Sequence, residues 1–255
     1  MDYNEFCKWI YKKLGINLSA YKQEQLSRRI NSLISRIGVR SLEEYTKLIQ
    51  NNPEHKQKFL DFITINVTEF FRNPELFNEL ENELKNQLLR SKRNLKIWSA
   101  ACSNGCEPYS VAIILKNLDP DRKHNILATD IDSSILEKAK LGEFIAPEVK
   151  NVKNIDLNKY FTKVHDKYII DNSIKKYIEF KKHDLVLGRY NDGFDLILCR
   201  NVVIYFNNEV KNEIYKNFSK SLKKGGLLFI GATESIYNYK EYGFEKASTF
   251  IYRKL

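Results

Sequence analysis

The residues best suited to chemistry in this 255-residue chain lie in IWSAACSNGCEPYSVAI at residues 97–113 and in ILATD at residues 126–130. In the first stretch an apolar run ends at Trp98 and gives way to Ser99, Ala100, Ala101, Ser103 and Gly105, all small. A helix then restarts behind Glu107 and Pro108. A strand-to-helix turn of small residues lets a ligand lie against bare backbone, and Asn104-Gly105 can supply a corner with positive φ. The dinucleotide fingerprint G-x-G-x-x-G is absent, so no pyrophosphate cradle is expected. Asp130 closes the next strand candidate, where a carboxylate can accept both ribose hydroxyls of a nucleoside. A nucleoside site without a phosphate-binding loop favours S-adenosylmethionine over NAD or ATP. Cys102 and Cys106 form a C-x3-C pair, but histidine is sparse and no further cysteine is near. Two buried thiols are expected there, and no metal.

Positioning those residues requires a mostly parallel sheet. From about residue 92, apolar strand candidates alternate with helical stretches, the signature of βαβ units. The candidates are 95–101, 125–129, 177–181, 194–199, 227–230 and a final 249–253. In such a sheet ligands bind beyond the carboxyl ends of the strands, near the reversal of strand order. Residues 1 to about 65 read instead as a small helical bundle. From residue 21 to 37, Leu26, Ile30, Leu33, Ile34 and Ile37 keep helical spacing. Gly38-Val39-Arg40 ends that helix, and Ser41-Leu42-Glu43-Glu44 predicts a capping box for the next. The bridge, residues 66–91, begins NVTEFFR and continues as a helix capped by Asn73, with Pro74 at its first position.

The net charge of +10 and pI of about 9.2 predict an acidic partner without choosing among nucleic acid, anionic lipid and protein. No stretch approaches the ~18 consecutive apolar residues of a membrane span. The N-terminus MDYNEFCKWIYKKLG carries too many charges for a secretory signal. Four scattered cysteines, Cys7, Cys102, Cys106 and Cys199, fit free thiols in a reducing compartment. A cytoplasmic location is expected.

Five segments carry a more specific signal: NVTEFFR at 66–72, WSAACSNGCEPYS at 98–110, ATDID at 128–132, FDLILCRNVVIYF at 194–206 and LKKGGLLFIGATES at 222–235. In order and spacing they resemble the CheR-type chemotaxis protein methyltransferases, which modify chemoreceptor glutamates, and the resemblance covers nearly the whole chain. It implies an α/β fold: a Rossmann-like S-adenosylmethionine-dependent methyltransferase domain, an N-terminal all-α domain and a small inserted antiparallel β-subdomain. The implied boundaries are 1–65 for the receptor-recognition helices, 66–91 for a linker and helix contributing to the cofactor site, and 92–255 for the methyltransferase domain. The β-subdomain insertion falls at about 143–174.

The implied reaction moves methyl from S-adenosylmethionine to receptor glutamates, giving glutamyl methyl esters for sensory adaptation and S-adenosylhomocysteine as product. By resemblance Asn66, Thr68, Arg72, Glu107, Asp130, Asp184, Leu185, Arg200 and Asn201 surround the cofactor. Arg72 can pair with a carboxylate in bidentate fashion, Glu107 can take an ammonium, and Asp184 and Leu185 can flank an adenine. Arg72, Arg200 and Tyr205 are the expected catalytic residues. Where family members commonly carry an acidic residue this chain has Cys106, although Glu107 is retained. An acceptor glutamate is already ionised at neutral pH, its ordinary pKa being about 4.3. No general base is needed, and His55, His124, His165 and His183 are expected at the surface.

The expected partner is the cytoplasmic helical domain of chemoreceptors, met by a monomer, with no nucleic acid and no membrane insertion. Residues 21–40 hold Lys22, Arg28, Arg29, Arg36 and Arg40 against Glu24 alone. Lys22, Arg29 and Arg36 recur at heptad spacing, predicting one stripe that binds an acidic helix. Around His165-Asp166-Lys167 there is no glycine-rich loop. Family members that grip a receptor tail have a longer loop there, so tail-independent recognition is expected. Two rival readings remain. A non-catalytic receptor-binding relative is opposed by the intact Arg72, Glu107, Asp130, Arg200 and Tyr205. A nucleic-acid methyltransferase is favoured by the pI, but the fourth strand ends CRNVVIYF rather than in an Asn/Asp-Pro-Pro-aromatic turn.

Overall fold

The computed structural model describes residues 1–91 and 93–255. The chain forms two units, residues 1–66 with 205–213 and residues 67–204 with 214–255.

In the first unit four helices are α1 (Tyr3–Leu14), α2 (Gln23–Ile37), α3 (Leu42–Asn51) and α4 (Pro53–Thr64). Their apolar faces close on Phe6, Ile10, Leu26, Ile30, Tyr45 and Phe59, all buried, with Phe6 edge-on to Phe59 at 6.0 Å. Gly38 ends α2 in the left-handed region, φ 79°, which costs glycine nothing. The capping box expected at α3 forms by half. Ser41 Oγ accepts the Glu44 amide at 3.1 Å, but the Glu44 carboxylate accepts the amide of Arg40, one residue earlier than a box requires. Residues 205–207 join this unit through backbone bonds from Lys22 to the Tyr205 carbonyl and from Asn207 to the Ala20 carbonyl, both 2.9 Å.

The second unit opens with α5 (Pro74–Asn86), β1 (Lys96–Ala100), α6 (Cys106–Leu118), β2 (Asn125–Asp130) and α7 (Ser133–Leu141). An insertion follows: β3 (Glu143–Ile145), α8 (Ala146–Val149), α9 (Asn154–Tyr160), β4 (Phe161–Val164), β5 (Lys167–Ile170) and α10 (Asn172–Lys175). The sheet resumes with β6 (Ile178–Lys182) and β7 (Phe194–Cys199), then α11 (Asn208–Ser221), β8 (Leu222–Ile230), β9 (Phe244–Lys246) and β10 (Ile251–Lys254). The first residues of α11 belong to the first unit.

The large sheet runs β6-β2-β1-β7-β8-β10-β9. The first five strands in that order are parallel and the last two pairings antiparallel. From β1 the chain builds outward to β2 and β6, then returns to β7 on the other side of β1, so the order reverses between β1 and β7. Every residue of β7 is buried, as expected of a strand covered on both faces. α6 buries Cys106 and an unbroken run from Pro108 to Leu115, because it is packed on the sheet and also against α10. Trp98 is fully enclosed, its Nε1 donating to Thr129 Oγ1 at 2.9 Å among the rings of Tyr190, Phe194 and Phe218.

The insertion forms a separate antiparallel sheet, β3-β5-β4, anchored by buried Phe144, Tyr160 and Ile170. Only His165 and Asp166 separate β4 from β5, with His165 at φ 53°. All four cysteines are buried and free. Two histidines depart from the expected surface positions: His183 is half-buried against Trp98 and Tyr190, and His124 is completely buried. The His124 Nδ1 accepts the Leu95 amide at 3.0 Å, which leaves Nε2 to donate to Asp119 at 3.0 Å, and burial pushes its pKa down. Among the described residues no helix is long and apolar enough to cross a membrane.

Candidate cofactor and active site

Because β1 lies between β2 and β7, the loops leaving these three strands share one edge of the sheet. The loop after β1 is bent by left-handed residues: Ala101 at φ 63°, Ser103 at 50° and Gly105 at 93°. Outside glycine this conformation costs of order 1–3 kcal/mol and persists only where surrounding contacts enforce it. Here the Cys102 amide bonds the Thr129 carbonyl at 2.8 Å and the Gly105 amide bonds the Cys102 carbonyl at 3.1 Å. A Cβ at Gly105 would stand 2.9 Å from the Tyr109 ring, so glycine is needed for space as well as for φ.

Asp130, at the end of β2, enforces the same turn. Its two oxygens accept the amides of Ser103 at 2.9 Å and Asp132 at 3.0 Å. The carboxylate expected for ribose is therefore first a strut for the glycine turn. Burial pushes its pKa up, against the pull of those amides. Glu107 sits at the head of α6, where Ser99 Oγ donates to Oε1 at 2.8 Å and Arg200 Nη1 stands 4.0 Å from Oε2. Burial also pushes Glu107 up, with Arg200 and Ser99 opposing.

Arg200 leaves the end of β7 with its side chain 2% exposed. Its guanidinium lies 5.0 Å from the Phe77 ring centroid and 4.7 Å from that of Phe229. Nη2 donates to the Arg72 carbonyl at 2.7 Å and to Asn73 Oδ1 at 3.2 Å. Asn73 thus stands at the α5 cap with φ 61° and makes no cap bond, although Pro74 opens the helix as expected. The expectation of an Asn73 cap is corrected: its side-chain oxygen serves the buried arginine, a stronger charged donor than a helix amide.

Sequence reasoning missed Glu234 as a site residue. It is buried, and its carboxylate accepts the amides of Asn201, Val202, Val203 and Gly231 at 2.9, 3.2, 3.1 and 2.6 Å. This bundle holds Asn201 at φ 60°. A usable signal was present, since Glu234 follows a buried strand and a glycine in FIGATES much as Asp130 closes ILATD.

The remaining expected residues are less concentrated. Arg72 and Thr68 are half-exposed, Arg72 donating to the Val67 carbonyl at 3.1 Å. Beyond β6, Asp184 Oδ1 accepts the amides of Val186 and Leu187 at 2.7 and 3.2 Å, while Leu185 is buried. Asn66 and Tyr205 belong to the first unit, where Asn66 Nδ2 donates to Thr64 at 2.9 Å. Lys22, at the N-cap of α2, and Arg36, in its last turn, are exposed, but Arg29 is half-buried. Its guanidinium donates to the Phe62 carbonyl and lies 4.7 Å from that ring's centroid. Arg29 therefore lies beside the apolar face, as expected of the heptad stripe, with its guanidinium packed on a neighbouring aromatic ring.

Two buried polar atoms beside β7, Asn201 Oδ1 and Arg200 Nε, have no partner among the described residues. Such atoms normally find one. A ligand with an ammonium, a carboxylate and ribose hydroxyls suits a shell that retains an unused acceptor and an unused donor. Residues 66–251 match the model of the CheR methyltransferase, SAM binding domain, and residues 1–64 that of the CheR methyltransferase, all-alpha domain. The chain belongs to the CheR methyltransferase family. A chemotaxis protein methyltransferase from Listeria monocytogenes is 39% identical over 99% of this chain and 97% of its own length. One from Borreliella burgdorferi is 33% identical over 98% and 93%. Among solved structures, magnesium protoporphyrin IX methyltransferase from Synechocystis PCC 6803 with bound SAM overlaps 70% of this chain and 77% of its own, at 12% identity and a TM-score of 0.39. That likeness is too slight to add to the assignment.

In this CheR-family chain the second unit is the S-adenosylmethionine-binding part, and the fold class is the one the motifs implied. The buried Glu107 gives a pH prediction for the unliganded protein. Its pKa is raised in the folded state, so its contribution to stability is full below the ordinary carboxylate value of about 4.3 and is lost as pH rises through the folded value. Glu107→Gln has no such loss. Urea unfolding at successive pH values should show the variant gaining on the parent chain from about pH 4 toward neutrality. A constant difference would mean that Glu107 titrates alike in the folded and unfolded chains.

Proposed function

We propose that this chain transfers the methyl group of S-adenosylmethionine to glutamate side chains of chemoreceptors, forming glutamyl methyl esters. The observation that carries this reading is near-full-length similarity to proteins named chemotaxis protein methyltransferase. When bound, S-adenosylmethionine supplies an electrophilic methyl on its sulfonium. An ionised acceptor carboxylate needs no deprotonation, so the chain's own task is to hold it in line and keep water out, where proximity alone can contribute up to ~7–11 kcal/mol. Glu107 and Asp130 suit the task of holding the site: both are buried and already bonded to its turns.

Arg72, half-exposed, is the guanidinium assigned to a carboxylate. Arg200 acts behind it by fixing the Arg72 carbonyl. For Asn66, Thr68, Asp184, Leu185 and Asn201 as cofactor ligands, and Tyr205 in catalysis, the support is their place in the family's motifs. By the same motifs residues 1–65 recognise the receptor, 66–91 link and contribute to the cofactor site, and 92–255 transfer methyl, with the insertion at 143–174. The partner is the cytoplasmic helical domain of the receptor, met in the cytoplasm by a monomer.

Tritiated S-adenosylmethionine incubated with receptor-bearing membranes tests the substrate class. Label released as methanol by mild alkali supports the ester. Alkali-stable label, or label carried by nucleic acid, would overturn it.

Within the stripe of Lys22, Arg29 and Arg36, receptor docking is assigned to the exposed Lys22, at the N-cap of α2, and Arg36, in its last turn. Reversing Lys22 and Arg36 to glutamate should lower receptor methylation about tenfold, equivalent to about 1.4 kcal/mol, with cofactor affinity unchanged. The parent activity should fall with added salt, since exposed charges are screened beyond ~8 Å at physiological ionic strength. Unchanged receptor methylation in the double variant would remove α2 from docking. Arg29→Glu is unsuited to this test because Arg29 is packed on Phe62.

A further inference from the structure

Glu148 belongs to the small inserted β-subdomain, yet its contacts run to the cofactor turn. Oε1 accepts from Asn104 Nδ2 at 2.6 Å, and Oε2 accepts the Ile145 amide at 2.8 Å. Asn104 stands between the left-handed Ser103 and Gly105, and its own oxygen accepts the Cys106 amide at 3.2 Å, the first residue of α6. The Glu148 carbonyl accepts the Phe70 amide at 2.8 Å. Next to it, Asn151 donates to Glu69 at 3.1 Å and Lys150 pairs with Glu69 at 2.6 Å. A short run of the insertion therefore fastens both the turn after β1 and the loop carrying Arg72.

We infer that Glu148 is a positioning residue for the S-adenosylmethionine-binding turn, acting through the Asn104 side chain. A carboxylate is suited to this place because it must accept at both oxygens at once. Glutamine offers one acceptor oxygen and would turn an NH2 toward a donor. With Oε2 fixed on the Ile145 backbone, Oε1 is held where Asn104 must meet it. That adds a restraint at Asn104 to a turn held elsewhere by Asp130 and the Thr129 carbonyl. The inference rests on the cofactor assignment and is independent of which side chain receives the methyl group.

The test uses the full chain, with Glu148→Ala, Asn104→Ala and the double variant. S-adenosylhomocysteine affinity is read by calorimetry, stability by urea unfolding, and kcat separately from the cofactor KM. Glu148 is half-exposed, so its variant is expected to fold. Each single variant should weaken binding about tenfold, the scale of one charge-assisted hydrogen bond. The double variant should lose no more than Asn104→Ala alone, because Glu148 reaches the turn through the Asn104 side chain. The cofactor KM should rise with kcat at saturation little changed, and Glu148→Gln should fall between parent and alanine. Lys167→Ala perturbs the same small sheet by removing the Glu143 pair and should leave affinity unaltered. Affinity within about twofold of parent in folded Glu148→Ala, multiplying losses in the double variant, or an equal loss from Lys167→Ala would each overturn the proposal.

Discussion

Glu234→Ala is expected to destabilise the second unit by about 4 kcal/mol, at the exceptional end for a single substitution. The side chain is 4% exposed and receives four backbone amides from two separate loops. Each buried donor stripped of its acceptor costs about 1–3 kcal/mol, although the four do not add, since water entering the space left behind recovers some bonds. Glu234→Gln keeps the volume but only one acceptor oxygen, and should lose roughly half as much. Urea titration followed by circular dichroism reads both values. An alanine variant within about 0.5 kcal/mol of the parent would place Glu234 among ordinary surface positions, and the strained Asn201 would need another support.

Arg200→Met should lower kcat/KM about a hundredfold, equivalent to about 2.7 kcal/mol of lost transition-state stabilisation. Methionine can fill much of the space between Phe77 and Phe229 but cannot donate to Arg72 or Asn73, so the loop bearing Arg72 loses its tether. Glu107 is left buried with Ser99 as its remaining donor. Arg200→Lys retains the charge but not the planar fork that stacks on two rings while reaching two acceptors, and should recover less than half of the lost rate. Single-turnover methyl transfer alongside cofactor affinity separates slack in the loop from weakened binding. A lysine variant as active as the parent would show that charge alone matters here.

The parallel strands were legible because buried strands must be apolar throughout, and FDLILC and KIWSA meet that demand with turn residues close behind. The small residues of the glycine turn were legible for a similar reason: backbone approach and positive φ restrict residue type directly. β9 was missed because three residues carry too little pattern to distinguish a strand from a turn. Asn73, Arg29, Asp130 and Glu234 show a different limit. Sequence reveals that a side chain can accept or donate, while the identity of its partner depends on which loops the fold brings together. Asn73 looks like a cap until a guanidinium from the far end of β7 reaches it. His124 looks superficial beside Lys123 and Asn125 until its ring is found closing the base of β1.

The enclosure of Trp98 has an optical consequence. The chain holds two tryptophans, Trp98 within the second unit and the half-exposed Trp9 on α1 in the first. Trp98 should emit at shorter wavelength and resist quenching by acrylamide, while Trp9 should emit further to the red and be quenched readily. The Trp98 indole N–H ends on Thr129, the residue before Asp130, so any ligand that reshapes the end of β2 also changes the surroundings of this fluorophore. In a Trp9→Phe chain the emission comes from Trp98 alone, and melting of the second unit can be followed without a label.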